Sequence, residues 1–200
     1  MILLYAVLAG LLAGLLRAWA GRRPLQVPDL RLTGLVILVF LPQFFAFYFP
    51  LTRKSIPDKW ASIALAVSQV IFLFFTWVNR RQPGFWMLGL GLFFNLAVIL
   101  PNGGWMPITP QAASRIYPDS PSSSWKIGDR LGTGKDIVLR PKDIRLEWLS
   151  DRFVFPIGLK MAFSLGDVLI SVGAFWFCWS FGSINRSQRS DRSPPASVTI

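Results

Sequence analysis

The sequence predicts an all-α polytopic membrane protein, a bundle of about five transmembrane helices with an ordered extracytoplasmic loop subdomain. Hydrophobic residues make up 52% of the chain and charged residues only 16%, which is less charge than a soluble domain of this size carries. The apolar residues are gathered into five runs that approach the roughly 20 residues needed to cross a bilayer. The runs are residues 2–16, 32–49, 60–78, 85–100 and 157–179.

The distribution of basic residues predicts the orientation of these runs. With the N-terminus outside, nine basic residues fall in the inner connections and the tail, and three fall in the short outer connection. This bias indicates an N-terminus outside and a C-terminus in the cytoplasm. The inner set is Arg17, Arg22, Arg23, Arg31, Arg80, Arg81, Arg186, Arg189 and Arg192, and the outer set is Arg53, Lys54 and Lys59.

The first run carries a stripe of small residues at spacings of four. Ala6, Gly10, Gly14 and Ala18 lie on one helix face, which allows a second helix to approach closely. The partner is either another helix of the same chain, which we favour, or a second copy of the protein.

Asp167 is the one acid inside any of the five runs, and it is placed near the middle of the last one. Amides and hydroxyls on other runs fall at a similar depth, where lipid cannot satisfy them. The predicted intramembrane polar cluster is Asp167, Gln43, Gln69, Asn95, Ser164 and Ser171. Two interpretations remain open. The cluster is either a hydrogen-bonded plug that fixes helix packing, or a proton or cation site with Lys160 and Ser164 on its path.

The sequence divides into a transmembrane bundle (1–100 and 157–182), an extracytoplasmic loop subdomain (101–156) and a disordered cytoplasmic tail (183–200). In the loop, Thr109 and Pro110 predict the cap and first turn of a short helix that ends near Tyr117. Residues 137–139 predict a short strand, and residues 143–153 predict a helix on the membrane surface.

The loop subdomain supplies a second set of candidate residues: Trp105, Lys135, Asp136, Asp151 and Arg152. Trp105 is predicted to anchor a glycine turn at the headgroup level. The glycines before Lys135 do not have phosphate-loop spacing. Each acid has a basic neighbour, so surface ion pairing is the simplest interpretation of the charged members. Lys135 beside Asp136 is alternatively a contact for a lipid headgroup.

Catalytic and metal-binding patterns are missing from the sequence. There is no histidine, and Cys178 is the one cysteine, so neither His-based acid–base chemistry nor an intrachain disulfide is available. No nucleic-acid-binding motif accompanies the net charge of +11. We therefore expect no catalytic residues, no metal, no cofactor and no nucleic-acid partner.

Several motifs occur together in a fixed order: residues 9–14, 41–43, 102–107, 134–139, 149–153 and 163–170. In this arrangement the chain resembles a family of small bacterial integral membrane proteins of unknown function, over nearly all of residues 1–180. The resemblance implies bacterial origin and a multi-span membrane location, and we expect that membrane to be the cytoplasmic one. It implies no activity, ligand or catalytic residue.

Three functions follow as expectations. The first is a non-enzymatic accessory or assembly subunit that uses its helix faces and loop to bind a membrane partner or a second copy. The alternatives are a small proton- or cation-coupled transporter centred on Asp167, and an enzyme acting on lipids or envelope intermediates at the outer interface.

Overall fold

The computed structural model describes residues 2–52, 55–132, 134–155 and 161–183. The protein is an all-α polytopic membrane protein, as predicted. Within these residues, four helices are long and apolar enough to cross a membrane. They are α1 (Ile2–Ala20), α3 (Asp58–Val78), α4 (Phe85–Ile99, extended by the 3₁₀ turn Leu100–Asn102) and α6 (Leu165–Trp179, extended by the 3₁₀ turn Ser180–Gly182).

The second apolar run forms a shorter helix than the sequence suggested. Helix α2 spans Thr33–Gln43 and continues as one π-helical segment, Phe44–Tyr48. Pro42 has no N–H for the preceding turn, so the regular ladder is interrupted there. A wider π turn is a common response to such a break.

The long helices are arranged as an arc in the order α1, α6, α4, α3, α2. The two glycines of the α1 stripe pack on α6. A Cβ placed on Gly10 would lie 2.6 Å from the carbonyl oxygen of Phe175, and one on Gly14 would lie 2.7 Å from that of Cys178. Ala18 is buried at the same interface, whereas Ala6 is half-buried. The stripe therefore serves packing within the chain.

Helices α4 and α6 run antiparallel and meet through glycines on both sides. Gly84 faces Gly173, and Gly91 faces Gly166 so closely that a Cβ on Gly91 would lie 2.5 Å from the Gly166 carbonyl oxygen. Lipid is as apolar as a large side chain, so burying such side chains between helices gives no hydrophobic advantage in a membrane. Close van der Waals contact between the two backbones, which glycine allows, holds α4 and α6 together instead.

The loop subdomain (residues 103–155) covers the end of the bundle where α4 ends and α6 begins, which we call the loop end. Its elements are β1 (Met106–Ile108), α5 (Pro110–Ile116), β2 (Asp136–Val138) and β3 (Phe153–Val154), with β4 (Ala162–Phe163) contributed from just before α6. The 3₁₀ turns Ser122–Ser124, Pro141–Asp143 and Glu147–Leu149 connect them.

Two predicted elements of the loop are confirmed and one is wrong. Thr109 caps α5 by accepting a hydrogen bond from the Ala112 N–H, and the predicted strand is β2, shifted by one residue to Asp136–Val138. The surface helix predicted at 143–153 is absent from that described stretch, which begins at the end of one 3₁₀ turn (Pro141–Asp143) and contains a second (Glu147–Leu149). Ile144 and Leu149 are instead buried.

The last span also begins later than predicted. The apolar run starts at residue 157, but Phe163 still belongs to a strand and the helix begins at Leu165. Residues 156–160, including Lys160, and the predicted tail beyond Ser183 lie outside the described residues.

Candidate functional site

Two small sheets bring distant charged residues together at the loop end. β1 and β2 pair in parallel, with Met106 opposite Asp136, so Lys135 and Asp136 lie at the start of that pairing. The Asp151 N–H donates to the Pro107 carbonyl, which fixes Asp151 beside β1. β3 pairs with β4 immediately before α6, and this places Asp167 at the same point. We call Lys135, Asp136, Asp151 and Asp167 the charged cluster.

Lys135 lies between the carboxylates of the charged cluster. Its Nζ is 3.3 Å from Asp151 Oδ2 and 3.4 Å from Asp167 Oδ2. The Asp151 side chain is only 1% exposed, whereas about a third of the Lys135 side chain remains accessible. The acids of this loop were predicted to form surface ion pairs. For Asp151 that prediction is wrong, because the loop subdomain buries it against the bundle.

Asp167 is not at the middle of a span, which corrects its predicted depth. It occupies the first turn of α6, where its carboxylate accepts from the Ser164 N–H at 3.2 Å and the Ser164 hydroxyl accepts from the Asp167 N–H at 3.1 Å. This reciprocal capping box satisfies backbone donors that otherwise lack partners. The acid is therefore a helix cap and a member of the charged cluster at once.

Asn95 connects α4 to this arrangement. Its Nδ2 donates to Asp167 Oδ1 at 2.9 Å, and its Oδ1 accepts from the Ser164 hydroxyl at 2.9 Å. Ser164 is fully buried and Asn95 almost so. Three of the six residues predicted as an intramembrane cluster are thus in direct contact.

Burial raises the pKa of Asp136, and burial raises the pKa of Asp151 well above its usual range, although the charge of Lys135 opposes both shifts. The two carboxyl groups also interact with each other, which raises the pKa of Asp151 further. Apart from the ion pair of Oδ2 with Lys135, neither Asp151 oxygen has a hydrogen-bond partner among the described residues. A proton shared between Asp136 and Asp151 would give one of the two Asp151 oxygens a partner.

The pKa of Lys135 is held above its usual value. Burial by itself lowers the pKa, but the charges of Asp151, Asp167 and Asp136 outweigh burial. Lys135 therefore stays charged, and among the described residues of the cluster it is one cation facing three acids.

The charged cluster opens onto a cavity of about 510 Å³ inside the bundle, which we call the central groove. Lys135, Asn95 and Asp167 line one end of it. Helices α1, α2, α3, α4 and α6 all contribute to its wall. Along α3 the lining runs from Leu65 to Thr76, which is about 16 Å at 1.5 Å per residue. The volume is in the usual range for a small-molecule site.

The deeper predicted polar residues lie along or near this groove. Gln43 and Gln69 line it, and Gln43 donates a hydrogen bond to the Ser68 hydroxyl. Gln69 Oε1 is buried and has no hydrogen-bond partner in the part of the chain that the structure describes. Ser171 is also buried with its hydroxyl unpartnered, but it does not line the groove. Three of the six predicted residues thus form a cluster at the loop end. The other three, Gln43, Gln69 and Ser171, are separate polar side chains deeper in the bundle.

The other two loop candidates lie apart from the charged cluster. Trp105 is buried, and its ring packs edge-on against that of Phe47 with 6.2 Å between the ring centres. Arg152 is exposed, with its guanidinium 5.8 Å from the centre of the Phe153 ring.

Arg130 is a structural residue that the sequence did not single out. Its guanidinium lies over the rings of Phe47 and Trp105, pairs with Asp58 at 3.2 Å and donates to the Gly134 carbonyl. It therefore fastens the loop before Lys135 to α2 and α3. Nothing local in the sequence marks this role, because its hydrogen-bond partners on the helices, Asp58 and Ala46, are 72 and 84 residues away.

The raised pKa values make stability depend on pH. A folded state that keeps a proton on the Asp136–Asp151 pair binds more protons than the unfolded chain, whose aspartates release theirs near pH 4. The stabilisation is complete at low pH and is lost as pH rises through the folded pKa. We therefore expect the midpoint temperature of thermal unfolding in detergent to decrease as the pH is raised from about 5 to about 8.

Asp151→Asn is expected to flatten that profile, because an amide stays neutral and still donates a hydrogen bond to Asp136. Asp143→Asn, on an exposed turn, is the matched control and should keep the wild-type slope. A wild-type slope in Asp151→Asn would show that the pair holds no proton.

Comparisons with known proteins identify a family without an assigned activity. An uncharacterized protein of Thermotoga maritima is 28% identical over 134 residues, which is 66% of this chain and 71% of that protein. No solved structure matches the chain. The family of unknown function DUF5317 matches residues 28–179. The resemblance to a membrane family of unknown function is therefore confirmed, and the chain belongs to DUF5317.

Proposed function

We propose that the protein is a small proton-coupled transporter of a bacterial cytoplasmic membrane, with its N-terminus and the loop subdomain outside and its C-terminus in the cytoplasm. The observation that carries the proposal is the charged cluster at the end of the central groove. A buried carboxyl pair that holds a proton next to a ligand-sized cavity is an arrangement in which proton release and ligand binding affect each other.

Asp167 is the residue through which the two sites communicate in this proposal. One of its oxygens accepts from Asn95, and the other is next to Lys135, which also contacts Asp151. A ligand that attracts Lys135 or Asp167 changes the charge facing Asp151 and therefore its affinity for a proton. The unpartnered Gln69 Oε1 offers the same ligand a hydrogen-bond acceptor deeper in the groove.

The accessory-subunit hypothesis has less support. It rested partly on the small-residue stripe of α1, and the glycines of that stripe are already packed against α6. A partner protein could bind another surface without preventing transport. No surface of the described residues supports partner binding as strongly as the central groove supports ligand binding.

The test is transport in vesicles that contain a trapped pH-sensitive dye. Small molecules extracted from the producing cells are added outside, and fractions that change the internal pH with wild-type protein are retained. Asp167→Asn is expected to abolish this change, because the amide carries no charge to couple ligand and proton. It should leave the helix intact, because its side-chain oxygen can still accept from the Ser164 N–H.

Asp119→Asn, on an exposed turn, is the control and should transport like the wild type. Detergent unfolding of each variant checks that folding is retained. If Asp167→Asn is folded and moves protons as fast as the wild type, or if no fraction changes the internal pH, the proposal is wrong.

A further inference from the structure

A second groove lies on the outside of the bundle, between α3 and α4, at the end opposite the loop subdomain. Its cavity is about 300 Å³, and its wall is almost entirely apolar, with Leu73 and Trp77 on α3 and Trp86 and Leu90 on α4. Gly89 is part of the lining, where the absence of a side chain deepens the groove. We call this the α3–α4 groove; it is separate from the charged cluster.

One cation lies at the end of this groove. Arg80 lines it just beyond α3, with its guanidinium 4.5 Å from the centre of the Trp77 ring and Nη1 donating to the Trp77 carbonyl at 3.0 Å. These two contacts hold the planar group in place, and a guanidinium has further N–H donors that suit a phosphate. Among the described residues, the two connections at this end of the bundle also carry Arg22, Arg23, Arg31 and Arg81, against one acid, Asp29.

The length of the groove fits within one leaflet of a bilayer. From Leu73 to Arg80 is seven residues, or about 10 Å along a helix axis, and half of the hydrocarbon core is about 15 Å thick. Trp77 and Trp86 meet edge-on at 6.2 Å beside Arg80, and both are exposed. Tryptophans with this exposure occur where hydrocarbon meets headgroups, so Arg80 lies at headgroup depth.

We infer that the α3–α4 groove is a binding site for an anionic phospholipid, with one acyl chain between the two helices and the phosphate on Arg80. An apolar groove of this length accepts a single chain, and the charge at its end selects the headgroup. The inference does not depend on the proposed transport function, since the residues involved are distinct.

The test uses Trp77 and Trp86 as fluorescent reporters in vesicles of phosphatidylcholine. A minor fraction of the lipid carries bromine on an acyl chain, as either phosphatidylglycerol or phosphatidylcholine, and bromine quenches tryptophan at contact. The Trp77→Phe, Trp86→Phe double variant gives the signal of the remaining tryptophans for subtraction. Brominated phosphatidylglycerol is expected to quench at about fivefold lower mole fraction than brominated phosphatidylcholine.

Arg80→Gln should remove that preference, and Arg81→Gln, next to it but outside the groove, should keep it. Gly89→Leu fills the groove and should reduce quenching by both lipids. Equal quenching by the two lipids in wild type, or an equal loss in Arg80→Gln and Arg81→Gln, would overturn the inference. The inference would also be overturned if Gly89→Leu were quenched as strongly as the wild type. The same holds if neither lipid quenches the wild-type protein because a second copy covers the groove.

Discussion

Lys135→Met is expected to destabilise the folded protein by about 3 kcal/mol at neutral pH. The substitution keeps most of the side-chain volume but leaves Asp151 and Asp167 without the cation that each contacts. The value is near the lower end of the range for breaking a buried pair, since a third of the Lys135 side chain is exposed. The measurement is the free energy of unfolding in detergent.

Low pH should restore much of the lost stability in this variant. Without Lys135, the pKa values of Asp136 and Asp151 in the folded state rise further, because burial is no longer opposed. Groups with raised folded pKa values contribute stability at low pH and lose it as pH rises, so the variant should be closest to wild type near pH 5.

Lys142→Met is the control, because that lysine is exposed on a 3₁₀ turn and its replacement should change stability by less than about 0.5 kcal/mol. If Lys135→Met is as stable as the control at neutral pH, the cluster does not depend on its cation.

Gly91→Ala is expected to cost about 3 kcal/mol, and Gly91→Val more. The added Cβ would lie 2.5 Å from the Gly166 carbonyl oxygen and 2.8 Å from the Ile170 nitrogen. Both are backbone atoms, so relief requires separation of α4 and α6. Because Asn95 is one turn further along α4, the same separation should weaken its hydrogen bond to Asp167. Unfolding in detergent measures the loss of stability.

Gly34→Ala provides a matched control within the same protein. No atom lies within 4 Å of a Cβ at Gly34, which is exposed in the first turn of α2. This substitution should be neutral or stabilise by up to about 1 kcal/mol, because alanine favours helix. Equal stability of Gly91→Ala and Gly34→Ala would show that α4 and α6 pack less closely than described.

The late start of α6 was foreseeable from the sequence. Ser164 and Asp167, three residues apart before an apolar run, have the spacing of a capping box. Run length alone favoured a helix from residue 157 and put Asp167 at mid-depth. The cap is the better guide, because it specifies where backbone N–H groups find partners, whereas run length specifies only composition.

The charged cluster was not foreseeable. Lys135 is 16 residues from Asp151 and 32 from Asp167, and each acid has a nearer basic neighbour in the sequence. The strand pairing of β1 with β2 and of β3 with β4 selects the distant partners, and the burial that follows raises the pKa values of Asp136 and Asp151. Such pairing depends on contacts across the whole loop, which local sequence patterns do not encode.

The sequence by itself determined the features that depend on near neighbours: the all-α membrane class from the apolar runs, the cap of α5 from Thr109 and Pro110, and the close-packing face of α1 from its glycines. These follow from hydrophobic burial, from backbone hydrogen bonding within a turn and from the small size of glycine. The tertiary structure alone decided which helix α1 packs against and which acids surround Lys135. Each of these depends on contacts between groups that are distant in the sequence. Burial changes the pKa values of the acids only once those contacts have formed.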